Sequence, residues 1–363
     1  MDTFSLVLTF FVVIVTLLPF SRHPHWSVRG LDFPRLQFAC LALFVLVLNL
    51  WDLSEGALQP SWLNWLCILA SGFCFVWQSW WILPYTPFWK KEVKTSRDDG
   101  DASLKIITAN VLKFNRKTER LIGFVRSYQP DVLVVLESDD WWETKLDALQ
   151  EQMPYSLKQP LDNLYGMHVY SRLPLERAQI CHLIEDDVPS MHALIVLDSG
   201  DKVRAHFMHP RPPSPTENPE SAERDAELIM VAKSVAKTSD PVIVTGDLND
   251  VAWSPTTRLF RKISGLLDPR VGRGMFNTFH AKWPLLRWPL DHVFHSPHFT
   301  LRCIECLPDI GSDHFALYTE LNFHRKPKLE QQGIDADEEE HEWAEQIVAE
   351  KNGNEADVPK FSV

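Results

Sequence analysis

The chain has 363 residues, a formal net charge of −12, 25 Pro and only 14 Gly. That length suits one large domain or two smaller ones, and six Cys are too few to make it a disulfide-stapled scaffold. The acidic balance argues against a generic binder of long nucleic acid, which needs Lys and Arg to neutralise phosphates.

Three apolar segments come first: Phe4 to Phe20, Leu36 to Trp51 and Trp62 to Tyr85. Crossing the hydrocarbon core takes about 20 apolar residues, so the third segment is long enough and the first two lie near the short limit. A cleaved signal peptide fits the first poorly, because its start carries Asp2 without Lys or Arg and Pro19-Phe20-Ser21-Arg22 is unsuited to cleavage. Residues 1–90 therefore read as a membrane anchor of about three transmembrane helices, with Trp65, Trp77, Trp80 and Trp81 suited to the interfacial belt. Arg22, Arg29 and Arg35 lie between the first two segments. Asp52 and Glu55 lie between the second and third, and Lys90, Lys91, Lys94 and Arg97 follow the third. The positive-inside rule then predicts a multi-pass protein whose C-terminal domain is cytoplasmic.

Residues 91–103 read as a polar linker, and the texture changes at Leu104. Strands are predicted at 104–109, 131–136, 166–171, 191–197, 202–208, 241–245, 290–296 and 314–321, and helices at 118–128, 141–153, 219–237 and 254–263. Ser254-Pro255 has the form of an N-cap followed by Pro at the first helical position. Strands interleaved with helices imply sheets covered by helices, and strands that follow one another directly imply antiparallel pairs. Cys303 and Cys306 have C-x-x-C spacing but no second pair, and read as ordinary residues of a strand and its turn. After Phe323 the pattern dissolves, so 324–363 is expected to be an acidic, disordered tail, with a short helix around Glu338–Lys351 the one element its sequence allows.

Polar residues collect where these strands end. Asn110 closes the first strand of the domain and Glu137 the second; His209 follows Met208; Asp247 and Asn249 follow Val242-Ile243-Val244. Asp291 opens one late strand, and Asp313 with His314 opens the last. A strand-end Asn or Asp alone is usually a turn former or a cap, and an edge His is usually a packing residue. Together they complement one another. Carboxylates and an amide oxygen suit a hard cation such as Mg²⁺ or Mn²⁺, and His suits proton transfer or stabilisation of charge developing on phosphate.

The order of these motifs, from Leu104 to Phe323, resembles the endonuclease/exonuclease/phosphatase superfamily of metal-dependent phosphoesterases, and most resembles its bacterial membrane-anchored members. Asn110 and Glu137 match the family's first Asn and its metal-binding Glu. The run Gly166-Met167-His168-Val169-Tyr170-Ser171-Arg172-Leu173-Pro174 matches its Gly-x-x-x-x-Ser-Arg-x-Pro strand and turn. Gly246-Asp247-Leu248-Asn249 matches its G-D-x-N, Asp291-His292 its late D-H strand, and Ser312-Asp313-His314 its closing S-D-H.

The resemblance implies an α/β (α+β) fold of two packed mixed β-sheets flanked by helices, a four-layer sandwich spanning 104–323 and here preceded by transmembrane helices. It implies a cation held by Glu137, Asn110 and Asp313. It gives Asp247 the attacking water, Asn249 and His209 the phosphate, and His314, oriented by Asp291, the transition-state charge. Arg211 in the stiff Pro210-Arg211-Pro212-Pro213 loop is placed to bind an anionic substrate, and Arg224 to face the core and meet an acid. Trp, Leu and Pro between Asn277 and Pro289 form an apolar lip that could stack a base, grip lipid or touch the membrane.

The expected function is a phosphoester hydrolase, anchored in a bacterial inner membrane, acting on a lipid, a small molecule or nucleic acid. The alternatives are a DNA or RNA nuclease and a non-catalytic membrane scaffold. Complete core positions disfavour the scaffold.

Overall fold

The computed structural model describes residues 3–54, 61–96, 100–328 and 330–361. Glu55, Arg97 and part of the linker lie outside the described residues. The N-terminal helices are α1 (Thr3–Leu17), the single turn α2 (Trp26–Arg29), α3 (Arg35–Ser54) and α4 (Trp62–Ile82). With their flanking turns, three apolar stretches of 19, 20 and 24 residues are long and apolar enough to cross a membrane. They pack on one another through Val12, Ala42, Val45 and Cys74, whereas Phe10, Phe44, Val47, Leu69 and Val76 point outward. Small residues inside and large apolar ones outside is the pattern expected of helices solvated by lipid.

The second domain begins with β1 (Ala102–Asn110), α5 (Thr118–Tyr128), β2 (Val132–Leu136), α6 (Asp140–Leu146), β3 (Tyr155–Gln159) and β4 (Met167–Ser171). It continues with β5 (Leu175–Cys181), β6 (Ser190–Val196), β7 (Lys202–Met208), α7 (Ala222–Ala236), β8 (Val242–Asp247) and α8 (Pro255–Ser264). The last elements are β9 (Asp291–His295), β10 (Phe299–Cys306), β11 (Leu317–Phe323) and α9 (Glu338–Glu350). One sheet runs in the order β10-β11-β1-β2-β4-β3 and the other β5-β6-β7-β8-β9. The β1–β2 and β7–β8 pairs are parallel and the other neighbours antiparallel, so both sheets are mixed, as expected.

The two-residue period of a strand sorts the core. Leu104, Ile106, Val132 and Val134 meet Ala193, Ile195, Ala205 and Phe207 between the sheets. The alternate residues Ile107, Ala109, Leu133 and Val135 pack with Leu121 and Val125 of α5 and Trp142 of α6. On the far side, Val242 and Val244 pack with α7 and α8. Central strands buried on both faces read as continuous apolar runs, which is why the sequence located them. The edge strand β3 and most of β5 carry no such run, and both were missed; Glu176, Arg177 and Ala178 of β5 are exposed.

One expectation is refined and one corrected. The polar linker does not stand clear of the fold along its described part. Val93 is buried between the sheets, Glu92 pairs with Arg261, and Ser96 N donates to Leu301 O. Nor is the tail disordered along its described length. An Asp337–Glu340 capping box starts α9, and Ala344, Ile347 and Val348 pack on the α7–α8 layer. α9 is the short helix expected around Glu338–Lys351; it has one apolar face, and its charges lie outward or pair with Lys233 and Lys262.

Candidate functional site

The two sheets present their polar strand ends at the same edge, where side chains from several strands converge. Thr108 on β1 and Thr245 on β8 share a buried hydroxyl–hydroxyl bond of 2.8 Å across the sheet interface, holding the two strands just below that edge. Gly246 permits the approach of β8 to β7. A Cβ there would lie 1.8 Å from Met208 O, and its φ of 151° is closed to other residues at low cost.

Asn110 is the link between the sheets at the edge. Its Nδ2 donates to Glu137 Oε1 at 2.7 Å and to Asp247 Oδ2 at 3.1 Å, while its Oδ1 accepts from Leu112 N. Asn110 thus offers its amide oxygen to the backbone and holds two carboxylates with its NH₂. Glu137 and Asn249 both sit in the left-handed region, with φ of 56° and 52°. Such a conformation is costly for Glu and common for Asn, and it turns both side chains off the ends of their strands.

Asp247 lies at the floor. Its Oδ1 accepts from Asn249 N at 2.9 Å, and its Oδ2 lies 3.5 Å from His314 Nε2 and 3.9 Å from His209 Nε2. His314 Nδ1 is 2.8 Å from Asp291 Oδ2. Asn249 Nδ2 donates to Pro210 O, and Arg224 Nη1 donates to Asn249 O, fixing the turn. Arg224 is buried against Asp225 and Asp250, as expected. His292, next to Asp291, points the other way. It is buried between Arg270 and Asp250 O and serves the scaffold.

A cleft of about 260 Å³ opens above this floor, lined among others by Glu137, His209, Asn249, Asp313 and His314. Asn110, Asp247 and Asp291 lie beneath those residues. All eight predicted site residues therefore belong to one constellation in two tiers. Arg211 does not join it. Its guanidinium stacks on Tyr165 at 4.8 Å and is neutralised by Glu185 and Asp187. Phe279, from the segment read as an apolar lip, walls the cleft together with Tyr165 and Phe33, neither of which stands out in the sequence. Tyr165 packs on His209 and Phe279 on His314, at ring separations of 5.4 and 4.9 Å. Phe33 comes from the turn between α1 and α3.

Burial sets the protonation states. It raises Glu137 to about 7, against the hydrogen bond from Asn110. It lowers His209 to about 4, so that ring is neutral. Burial also works against a charged His314, but Asp247 and Asp291 overcome it and lift this imidazole to about 10. Ligand atoms of Asp247, Asp291 and His314 lie within 4.8 Å of one another, a spacing open to a metal. His314 Nδ1 is already engaged by Asp291 Oδ2, and its Nε2 faces Asp247, so the imidazole sits between the two carboxylates. Glu137 and Asp313 carry carboxylate oxygens of the kind a hard divalent cation prefers, and the upward shift of Glu137 comes first from burial, with Asp313 and Asp247 adding to it.

A model of the Endonuclease/Exonuclease/phosphatase family matches residues 107–314. No curated protein sequence matches the chain. Among solved structures, D. rerio TDP2 complexed with a single-strand DNA product is 19% identical, covering 61% of this chain and 100% of that one with a TM-score of 0.52. An endonuclease/exonuclease/phosphatase from Beutenbergia cavernae is 17% identical, covering 62% and 72% with a TM-score of 0.50. A third, from Bacteroides vulgatus, is 16% identical, covering 62% and 100% with a TM-score of 0.50. These likenesses concern the fold, and the family model spans more than half of the chain. The chain therefore belongs to the endonuclease/exonuclease/phosphatase family of phosphoric ester hydrolases.

Proposed function

We propose that this chain is a membrane-anchored, divalent-cation-dependent phosphoesterase that hydrolyses a small or lipid-borne phosphoester at the bilayer surface. The observation that carries this reading is Phe33. A residue of the turn joining the first two apolar helices walls the same cleft as Glu137, His209, Asn249 and His314. None of the described residues lining the cleft is Lys or Arg, which disfavours a long polyanion tracking through it. The lip points the same way. Trp283, Leu285 and Leu286 are exposed, and Gln37 near the start of α3 donates to Leu285 O. Arg29, from the loop after α1, is buried against Asp225 of α7, which supports that loop and the domain sharing one side of the membrane. With the positive-inside pattern, that side is the cytoplasm of a multi-pass, bacterial-type inner-membrane protein. The domain boundaries that fit are 1–90 for the anchor and 104–323 for the hydrolase.

Glu137 and Asp313 would hold the cation, Mg²⁺ or Mn²⁺, with Asn110 orienting Glu137; when bound, it polarises the phosphoryl group and offsets developing charge. Asp247 takes the proton of the attacking water. Asn249 and His209 donate to non-bridging oxygens, His209 as a neutral imidazole. His314, held cationic by Asp247 and Asp291, stabilises the extra negative charge of in-line attack. Phe279, Tyr165 and Phe33 exclude bulk water, which strengthens each of these interactions.

The test is hydrolysis of a phosphodiester, a phosphomonoester, vesicle-borne phospholipid and single-stranded DNA by detergent-purified full-length protein, with Mg²⁺ or Mn²⁺ and with EDTA. Loss of turnover in EDTA and preference for the vesicle substrate are expected. Activity undiminished by EDTA, or highest on DNA, would refute the reading.

A further inference from the structure

A second cavity, of about 290 Å³, lies away from the catalytic cleft, where the anchor meets α8 and α9. Its anchor wall comes from one end of the bundle: Phe20 after α1, Arg35 at the start of α3, and Trp77 and Trp81 near the end of α4. Its domain wall comes from Arg258 of α8 and Trp343 of α9. In the membrane reading above, this end of the bundle lies at the headgroup layer facing the catalytic domain.

The cavity is built from cations on indoles. Arg35 and Arg258 both stack on Trp81, at 4.6 and 4.9 Å from the ring centre, and Arg22 stacks on Trp343 at 4.4 Å. Arg35 is 2% exposed. Its Nη2 pairs with Asp32 and its Nη1 donates to Gln78, but its Nε has no hydrogen-bond partner. The indole Nε1 of Trp81 is likewise buried and unpaired. Arg258 makes no ion pair among the described residues. The one acid in the lining, Glu340, is taken by Lys262 through both of its oxygens at 2.6 Å. Buried donors without acceptors are costly, and here two of them belong to residues of one lining that also presents two further guanidinium groups. Arg22 meets Glu339 at 3.6 Å and Arg35 meets Asp32, so Arg258 is the lining guanidinium that an anion seated here would pair with, and aromatic walls suit an anion that carries an apolar body. Basic pockets between membrane helices on the cytoplasmic side have this chemistry for phospholipid headgroups.

We propose that this cavity binds an organophosphate anion, and that its ligand is the headgroup of an acidic membrane phospholipid, clamped between anchor and hydrolase domain. The site is separate from the catalytic cleft and rests on the membrane reading, not on the catalytic roles.

The experiment places full-length protein in nanodiscs of phosphatidylcholine alone, or with about one-fifth phosphatidylglycerol, and reads thermal stability and bound phosphatidylglycerol. Phosphatidylglycerol is expected to raise the melting temperature of the unaltered protein by several degrees. Arg258→Gln and Arg22→Gln should each weaken its apparent affinity about fivefold. Arg22 is largely exposed, so its variant carries the test if Arg258→Gln does not fold. A Lys90→Gln/Lys91→Gln variant, which lowers surface charge outside the cavity, should keep the shift. Equal shifts in all variants, or a loss confined to the Lys variant, would overturn the site. An equal shift from inorganic phosphate in phosphatidylcholine discs would overturn the lipid assignment. Release of the protein from membranes by alkaline carbonate would defeat the membrane reading itself, which separates that failure from failure of the site.

Discussion

His314 Nδ1 lies 2.8 Å from Asp291 Oδ2, and the other edge of the same buried imidazole faces Asp247 at 3.5 Å. The ring is thus held between two carboxylates, which favour its charged form, the state that the proposed role assigns to it. Asp291→Asn keeps the shape and removes the charge. It should lower kcat by about 10²- to 10⁴-fold with little change in KM, the range for a displaced acid–base or charge-stabilising group. It should also bring the alkaline limit of the kcat profile down from the region of pH 10, because His314 loses one of its supporting carboxylates. A variant within twofold of the parent across pH would refute that role.

Asn110 holds Glu137 and Asp247 with a single amide group. Asn110→Ala frees both carboxylates, and Mn²⁺ affinity should fall about tenfold to a hundredfold, as when an outer partner of a metal ligand is lost. Calorimetric titration of the full-length protein checks this. Unchanged affinity would show that Asn110 only shapes the turn at Leu112.

Glu137 must lose its proton to hold a cation, and burial raises its pKa to about 7. The raised value means that protons compete with metal below neutrality. Mn²⁺ affinity should therefore fall about fivefold from pH 7 to pH 6 and level off above about pH 8. An affinity flat across that window would exclude Glu137 as a ligand.

Trp283 and Leu285 are 61% and 83% exposed on the lip. Replacing both with Ser should leave turnover of a soluble phosphodiester unchanged and raise the apparent KM for vesicle-borne substrate about tenfold, the scale of two apolar side chains kept out of the bilayer. Equal effects on both substrates would mean that the lip serves the cleft and not the membrane.

Glu227 of α7 is buried, its Oε1 has no hydrogen-bond partner, and burial raises its pKa to about 8. The folded state keeps a proton that the unfolded chain releases from the ordinary glutamate value of 4.5 upward, so stability is lost as pH rises from that value to about 8. Glu227→Gln should abolish this loss and raise the melting temperature at pH 8 while changing little at pH 5. Parallel melting curves for parent and variant would show that Glu227 does not titrate in this window.

The sequence by itself determined the parts that have a local signature. Apolar runs located the three helices able to cross a membrane and the central strands, because burial on all sides leaves no polar position to interrupt them. The order of strand-end motifs picked out Asn110, Glu137, Asp247, Asn249, Asp291 and His314, because each is set by the end of its own strand. Tertiary structure alone decided what depends on partners far along the chain. Arg29 read as an interfacial charge, yet it is buried against Asp225, 196 residues away. Phe33 lies between two apolar segments with no motif to mark it, yet it walls the cleft. The helix expected at 338–351 finds its docking surface on α7 and α8, far along the chain, and Arg211 is silenced by Glu185 and Asp187. None of these pairings is written in spacing or periodicity, since a salt bridge or a docking face becomes favourable only once the rest of the fold has removed water from around it.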